Sequence, residues 1–350
     1  MSVARVSVID PRHSAAWAWF VRECPGATVF HSPQWAQALA SAYGFQPRYY
    51  VLQTASGEVV AALPLMLVRS RLTGDRLVGL PFSDLCPPLA ADAGPVAMLA
   101  AAARDEAWRL SLRYVEVRGG DPCWLEPSGF TAVNGLFVRH VLELPRDRRQ
   151  LEALVHDSAR RGVRKAQRLG VRVRRAGPEA MSVFYRIYRV TRARQHLVPA
   201  PYRFFQAVGE HLLDKGLGTL LLAEVGGEAV ACNLLLWWGE TMTYKYNVSL
   251  PDRLDARPNN LLMWATLELA LEMGMGKLDM GRSDAAHEGL RRFKSLWGAV
   301  EAPLPYLYYP ADALARDGRS SLGRALRTAV RTCPQWGARA LGALLYRHLG

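Results

Sequence analysis

Between Lys277 and Gly298 the chain reads KLDMGRSDAAHEGLRRFKSLWG. A short apolar run breaks at Gly281, and Arg282, Ser283, Asp284, His287, Glu288, Arg291, Arg292 and Lys294 follow before an apolar Phe-Leu-Trp surface returns. Side chains of these types can bind an anion, move a proton, or stabilise charge that develops on an oxygen. Strand alternation sets Asp279 opposite its neighbours Leu278 and Met280. A carboxylate there is costly to bury unless paired, so Asp279 either lines a cleft or pairs with an arginine such as Arg282.

A second group lies between Arg160 and Gly177, with eight basic residues and no acidic one. On a helix, Arg160, Arg164 and Arg168 form one i, i+4 row, with Arg161 and Lys165 in the adjacent row. Leu151, Val155, Ala159, Val163 and Ala166 fall on the opposite side. Like charges at this spacing each cost a few tenths of a kcal/mol in an isolated helix. An anion-binding ridge would account for that cost, and guanidinium forks suit phosphate oxygens. A solvated face of an arginine-rich protein is the other reading. The following VRVRR alternates valine with arginine, so the ridge would extend onto a strand.

Composition narrows the partners. A formal charge of +13 over 350 residues points to a nucleic acid, a phosphorylated substrate or a membrane surface. The five cysteines are scattered and form no C-x-x-C pair, which argues against a disulfide framework or a zinc site. His196 and His287 have no partner at ligand spacing, so no metal is expected. The start has no apolar signal region and no run is long enough to span a bilayer, so a cytoplasmic protein is expected. G-x-S-x-G, H-E-x-x-H, P-loop and dinucleotide fingerprints do not occur.

The elements that must position these groups come in two similar sets. HSPQWAQALASAYG predicts a helix with Ser32 as N-cap and Pro33 at N1. PRYYVLQT and EVVAALPLMLV predict a hairpin turning at Ser56-Gly57, followed by an alanine-rich helix near 94–110 and the strand LRYVEVRGG. Later, GTLLLAEV and EAVACNLLLWW predict a hairpin turning at Gly226-Gly227, then the strand TMTYKYNVSL, a helix near 258–273, and KLDMGRS. SGEVVAALPL and GGEAVACNLL match in glycine, glutamate and apolar phase. The turn glycine precedes the closing strand's glycine by 62 residues in one set and 54 in the other. This order indicates an internal duplication. The segment from Leu151 to Gly170 reads as a single helix. Tyr244 and Tyr246 are placed on one face of their strand, with Lys245 on the other. The tail, 311–350, reads as two short basic amphipathic helices split at Pro334.

FHSPQWAQALASAYG, EVVAALPL, GLPFSDLCPPL, ARRGVRKAQRLGV, VTRARQHLVPAPYRFF and DMGRSDAAHEGLRRFKSLWG together resemble the FemAB-like branch of the GNAT N-acyltransferase superfamily. The resemblance runs from about His31 to Gly298. It is nearest to the FemAB-like proteins associated with exopolysaccharide and PEP-CTERM protein-sorting clusters. It implies an α+β fold of two tandem GNAT-like units, each a mixed twisted sheet flanked by helices in α/β/α layers. Residues 1–150 and 151–310 would be the two units, and 311–350 the basic tail.

The resemblance also implies N-acyl or aminoacyl transfer to an amino group of a phosphate-linked sugar or peptide precursor, in cell-envelope or exopolysaccharide chemistry. Phe293 and Lys294 would lie at the transfer centre. Thr191, Arg192 and Arg194 would contact the phosphorylated acceptor. Lys294 is then the candidate oxyanion donor, and a surface lysine beside a core phenylalanine is its other reading. Asp84 would take the amine proton or merely form a turn. Tyr244 and Tyr246 would line the substrate pocket or merely pack, and Arg282, Ser283 and Arg291 would contribute to substrate binding. No tightly bound cofactor is implied. The donor is either acyl-CoA or aminoacyl-tRNA, because the glycine-rich pyrophosphate loop of CoA-using relatives is absent from both halves. The rival functions are a nucleic-acid binder and a non-catalytic adaptor on an anionic or membrane surface through the C-terminal helices.

Overall fold

The computed structural model describes residues 5–313 and 335–348. The chain divides into two compact units. The first runs to Phe137 and includes a return from Pro303, and the second holds Val138–Ala302. The division therefore falls before residue 150, and the segment from Pro303 belongs to the first unit rather than to the second.

The first unit holds β1 (Arg5–Ile9), α1 (Ala15–Glu23), α2 (Pro33–Tyr43), β2 (Gln46–Gln53), β3 (Val59–Val68), β4 (Arg76–Val78), α3 (Ala93–Arg109), β5 (Val115–Arg118), α4 (Pro122–Leu125) and β6 (Thr131–Val133). Ser32 caps α2 by accepting from the Trp35 N–H, as its position before Pro33 predicts. The sheet order is β1-β2-β3-β4-β5-β14-β6, where β14 (Tyr306–Tyr309) arrives from much later in the sequence. Alanines of α3 pack on the apolar faces of β2, β3 and β5.

The second unit begins at β7 (Phe137–Glu143), then α5 (Arg148–Leu154), α6 (Asp157–Arg168), β8 (Arg172–Ala176), α7 (Met181–Arg194) and α8 (Tyr202–Val208). The hairpin β9 (Gly218–Val225) and β10 (Glu228–Trp238) leads to β11 (Thr241–Ser249), α9 (Pro258–Glu272), β12 (Lys277–Asp284), α10 (Glu288–Ser295) and β13 (Val300–Pro303). Its sheet order is β13-β7-β12-β11-β10-β9-β8. Helices α6 and α9 share one core with Leu278, Met280 and Trp297. On the other face, Phe184, Tyr188 and Phe205 of α7 and α8 gather around Tyr246.

The duplication is visible in these two orders. Each sheet has seven strands, and β2–β3 and β9–β10 occupy corresponding places. In each, one parallel pair (β4 with β5, β11 with β12) is joined by a crossover helix, α3 or α9. β14 lies between β5 and β6, and β7 lies between β12 and β13. The first sheet thus takes a strand from beyond the second unit, and the second sheet takes in its own first strand at the corresponding place.

Two helix expectations change. The segment from Leu151 is broken at Val155-His156 into α5 and α6, with His156 capping the second by accepting from the Ser158 N–H. Of the two helices expected in the tail, the first falls outside the described residues, and α11 (Gln335–Leu345) stands where the second was expected. No helix among the described residues is long and apolar enough to cross a membrane.

Candidate functional site

Strands β11 and β12 pair in parallel at only three positions: Thr241 with Lys277, Met242 with Leu278, and Thr243 with Asp279. The ladder then stops. On the opposite edge of β11 the register slips, with Leu234 opposite Tyr246 and Leu235 opposite Tyr244. Lys245 is therefore an extra, bulged residue, and a bulge bends its strand and increases its twist. The bulge also reverses the side-chain alternation. Tyr244 is buried with the α6 and α9 core, whereas Tyr246 faces α7 and α8, so the two tyrosines do not share a face. Burial pushes the Tyr244 phenol well above its ordinary value.

Where the strands part, β12 carries a buried polar cluster. Asp279 lies on the face opposite Leu278 and Met280, and its partner is Arg139 of β7 rather than Arg282. Arg139 donates to Asp279 Oδ2 from Nε at 3.1 Å and from Nη2 at 2.9 Å. Asp279 Oδ1 accepts from the Gly281 N–H at 2.8 Å. Gly281 has φ +67°, a left-handed conformation that glycine adopts without steric cost. Its carbonyl accepts from Lys294 Nζ at 3.0 Å, and the Arg282 carbonyl accepts from the same ammonium at 3.2 Å.

Lys294 is only 2% exposed, and Phe293 is the partly buried member of the pair, packed edge-on against Trp297. This excludes a surface lysine beside a core phenylalanine. A buried ammonium acts on nearby negative charge through a medium of low dielectric, where the interaction is much stronger than in water. Ser283 is also buried, and its hydroxyl has no hydrogen-bond partner among the described residues. Arg291 forks onto Glu301 of β13, with both contacts at 2.8 Å, and donates to the Ala285 carbonyl at 2.8 Å. That fork holds the Glu301 carboxyl below its usual range.

Five sequence candidates thus meet at one place: Asp279, Arg282, Ser283, Arg291 and Lys294. The basic ridge starts nearby, because the His156 N–H donates to the Leu296 carbonyl at the end of α10. Ala159, Val163 and Ala166 of α6 are buried as the pattern requires. Arg164 and Arg168 are exposed and Lys165 is half-buried, and none of the three makes an ion pair among the described residues. Arg160 departs from the expectation: it is tied back to Asp157 and to the Glu152 carbonyl, so the outward row is Arg161, Arg164 and Arg168. The ridge does not continue along β8. Arg174 pairs with Glu224, and Arg175 lies over the Trp237 ring.

The remaining candidates are held by other elements. The Thr191 hydroxyl is buried, its one hydrogen within reach of the Ile187 and Ser249 carbonyls, and it accepts from the Ser249 N–H, so it ties α7 to β11. Arg192 stacks over Tyr188, and Arg194 is exposed at the end of α7. Asp84 is in the first unit, where its carbonyl accepts from the Tyr306 hydroxyl.

The first unit shows the same parting of strands with a different filling. Leu77 pairs with Val115 and Val78 with Glu116, after which the ladder ends. Glu116 is the last residue of β5 paired with β4, as Asp279 is the last of β12 paired with β11, and is likewise buried beside an arginine, Arg118, at 2.7 Å. Arg118 also donates to the Leu80 and Ser83 carbonyls, holding a loop in which Leu80 and Phe82 both have positive φ.

Arg139, His140 and Glu301 were missed by sequence reasoning. They lie on β7 and β13, beyond the repeated hairpin pattern. A signal was present in FVRHVLE, a β-rich run carrying adjacent arginine and histidine. Among the described residues no three His, Cys, Asp or Glu side chains gather as a metal ion would require.

Comparison with known proteins finds one family model and several solved structures of similar fold. Residues 154–295 match the family described as an acetyltransferase (GNAT) domain. The fold is similar to that of FemX, with a TM-score of 0.68 at 16% identity, covering 86% of this chain and 96% of that one. It is also similar to L-PGS from Bacillus licheniformis, with a TM-score of 0.57 at 12% identity, covering 93% and 98% of the two chains. A tandem GNAT protein from the clavulanic acid biosynthesis pathway matches with a TM-score of 0.55 at 14% identity, covering 87% and 98%. Comparison with curated proteins finds no match.

Proposed function

We propose that this chain, whose fold is similar to that of FemX and whose residues 154–295 match an acetyltransferase (GNAT) domain, transfers an acyl or aminoacyl group to an amine. The acceptor proposed is an amino group on a phosphate-linked sugar or peptide precursor of the cell envelope or an exopolysaccharide. The observation that carries this reading is the buried Lys294 ammonium at the point where β11 and β12 part.

In such a transfer the amine nitrogen attacks the acyl carbon, the new C–N bond forms, and the carbonyl oxygen gains the electron pair. Lys294 is proposed to stabilise that oxyanion. Collapse re-forms the carbonyl and breaks the bond to the carrier, which leaves with its electron pair, while the amine releases its proton. Both oxygens of Asp279 are already engaged, so its proposed part is to fix the Gly281 turn that holds Lys294.

The start of α9 favours aminoacyl-tRNA over acyl-CoA as donor. Helix N-termini bind pyrophosphate through free backbone N–H groups. Here the first residue is Pro258, which has none, and the Asn260 N–H donates to the Arg257 carbonyl. Arg164, Lys165 and Arg168 are proposed to meet phosphates of the donor or the acceptor.

The test is to incubate the protein with aminoacyl-tRNA or acyl-CoA and an amino-sugar nucleotide, and to follow the acceptor by mass spectrometry. A protein-dependent mass gain of one acyl unit supports the reading. No transfer from either donor, together with binding to anionic lipid vesicles, would favour the adaptor instead.

A further inference from the structure

His140 of β7 is fully buried, and neither ring nitrogen makes a hydrogen bond among the described residues. Burying a polar atom without a partner costs about 1–3 kcal/mol, so an apolar residue would pack here more cheaply. Nε2 lies 3.1 Å from Glu301 Oε2, close enough for an ion pair if the ring were charged but not aligned as a hydrogen bond. Glu301 is meanwhile held by both arms of Arg291.

The charged groups acting on the ring are Lys294 and Arg291 from α10 and Glu301 from β13. On the side of β12, Asp279 is already balanced by Arg139, the neighbour of His140 on its own strand. The local set without His140 is two cations and one carboxylate. A protonated ring would add a third cation to this set.

We propose that His140 is a positioning residue for Lys294: its neutral ring keeps the ammonium on the Gly281 and Arg282 carbonyls, and a proton gained by the ring drives it off. Burial first, and then the Lys294 ammonium, hold the ring below the ordinary histidine value, while Glu301 pulls it upward. A charged ring would compete with Arg291 for Glu301 and repel Lys294 in the same event. Arg291 also holds the Ala285 carbonyl, so the turn after β12 would respond too. Only the consequence for catalytic rate rests on the transferase reading. The coupling of the two side chains does not.

The chain has five lysines, which makes Lys294 accessible to NMR of protein labelled with 13Cε-lysine. Its signal is assigned by its loss in Lys294→Arg, and is followed without substrate from pH 8 to pH 5. The expected result is a step in the Lys294 shift with a midpoint below about 6.5, absent from the other lysines and absent in His140→Gln. A flat Lys294 signal in the wild-type protein would overturn the proposal whether or not the variant folds. So would a step that survives unchanged in His140→Gln or, should that variant not fold, in His140→Asn. With a transfer assay in hand, kcat should fall on the acid side through the same midpoint while KM stays within about twofold, and His140→Gln should remove that limb.

Discussion

Asp279 and Arg139, 140 positions apart in sequence, meet through two hydrogen bonds to one carboxylate oxygen, at 2.9 and 3.1 Å. Their strands lie side by side in the second sheet. The pair fixes the end of the β11–β12 ladder, because Asp279 is also the partner of the Gly281 N–H. Removing Arg139 leaves a carboxylate that is 3% exposed without its cation. Breaking a buried pair this way typically costs roughly 3–5 kcal/mol, and the partial exposure of Arg139 puts the expectation at the lower end. Urea unfolding of Arg139→Met should show that loss, and the double variant with Asp279→Asn should recover part of it. Additive losses would mean that the two side chains act independently.

Gly281 tests the turn itself. Any side chain at φ +67° is disfavoured by roughly 1–2 kcal/mol, so Gly281→Ala should lose about that much stability. The larger expected effect is on transfer, since the Gly281 carbonyl holds Lys294. A variant with normal stability and normal activity would show that the turn is not required in this form.

The ridge separates two kinds of arginine. Replacing Arg164 and Arg168 with alanine should weaken binding of a phosphorylated acceptor at modest salt and leave the unfolding midpoint nearly unchanged. Arg160→Ala should leave binding alone, because Arg160 is already tied to Asp157 and Glu152. Equal effects from both would remove the ridge from the account. Isothermal titration in low and high salt makes the comparison.

The pH dependence of stability should be visible at His31 in the first unit. Its Nδ1 accepts from the Thr28 N–H at 3.0 Å, so Nε2 carries the hydrogen donated to the Pro87 carbonyl, also at 3.0 Å. Burial lowers its pKa to about 4. The unfolded chain takes up the proton first, near pH 6.5, so the contribution is complete above that value and drains as pH falls toward 4. At about 1.4 kcal/mol per unit, the full loss is about 3 kcal/mol. Urea unfolding at pH 7.5, 6 and 5 should show this slope, and His31→Gln should flatten it.

The two hairpins, the capped helix after Ser32 and the crossover helices were legible because each rests on local patterning, period-two or helical, with glycine or Ser-Pro punctuation. The shared order of these elements made the duplication legible as well. Strands β7 and β13 were not, because the two neighbours of β7, β12 and β13, are both far from it in sequence and nothing local announces the pairing. Arg139, His140 and Glu301 were lost with them. The facing of Tyr244 and Tyr246 failed for another reason: one bulged residue, Lys245, shifts the phase, and a two-residue period cannot foresee it. The motif at Gly281 set Lys294 near the turn within β12, but only the packing of α10 shows the ammonium turned inward.

The central claim is that the buried Lys294 ammonium stabilises the oxyanion of acyl transfer. The direct measurement is the single-turnover transfer rate of Lys294→Ala against the wild-type protein, with circular dichroism and urea unfolding confirming that the variant is folded. Loss of one such donor typically lowers the rate about 10²–10³-fold, roughly 3–4 kcal/mol, and acceptor affinity should hardly change because the interaction strengthens only in the transition state. Lys294→Arg should be partly active, since its planar fork carries the charge but not as a point. A folded Lys294→Ala that transfers at the wild-type rate would contradict the account.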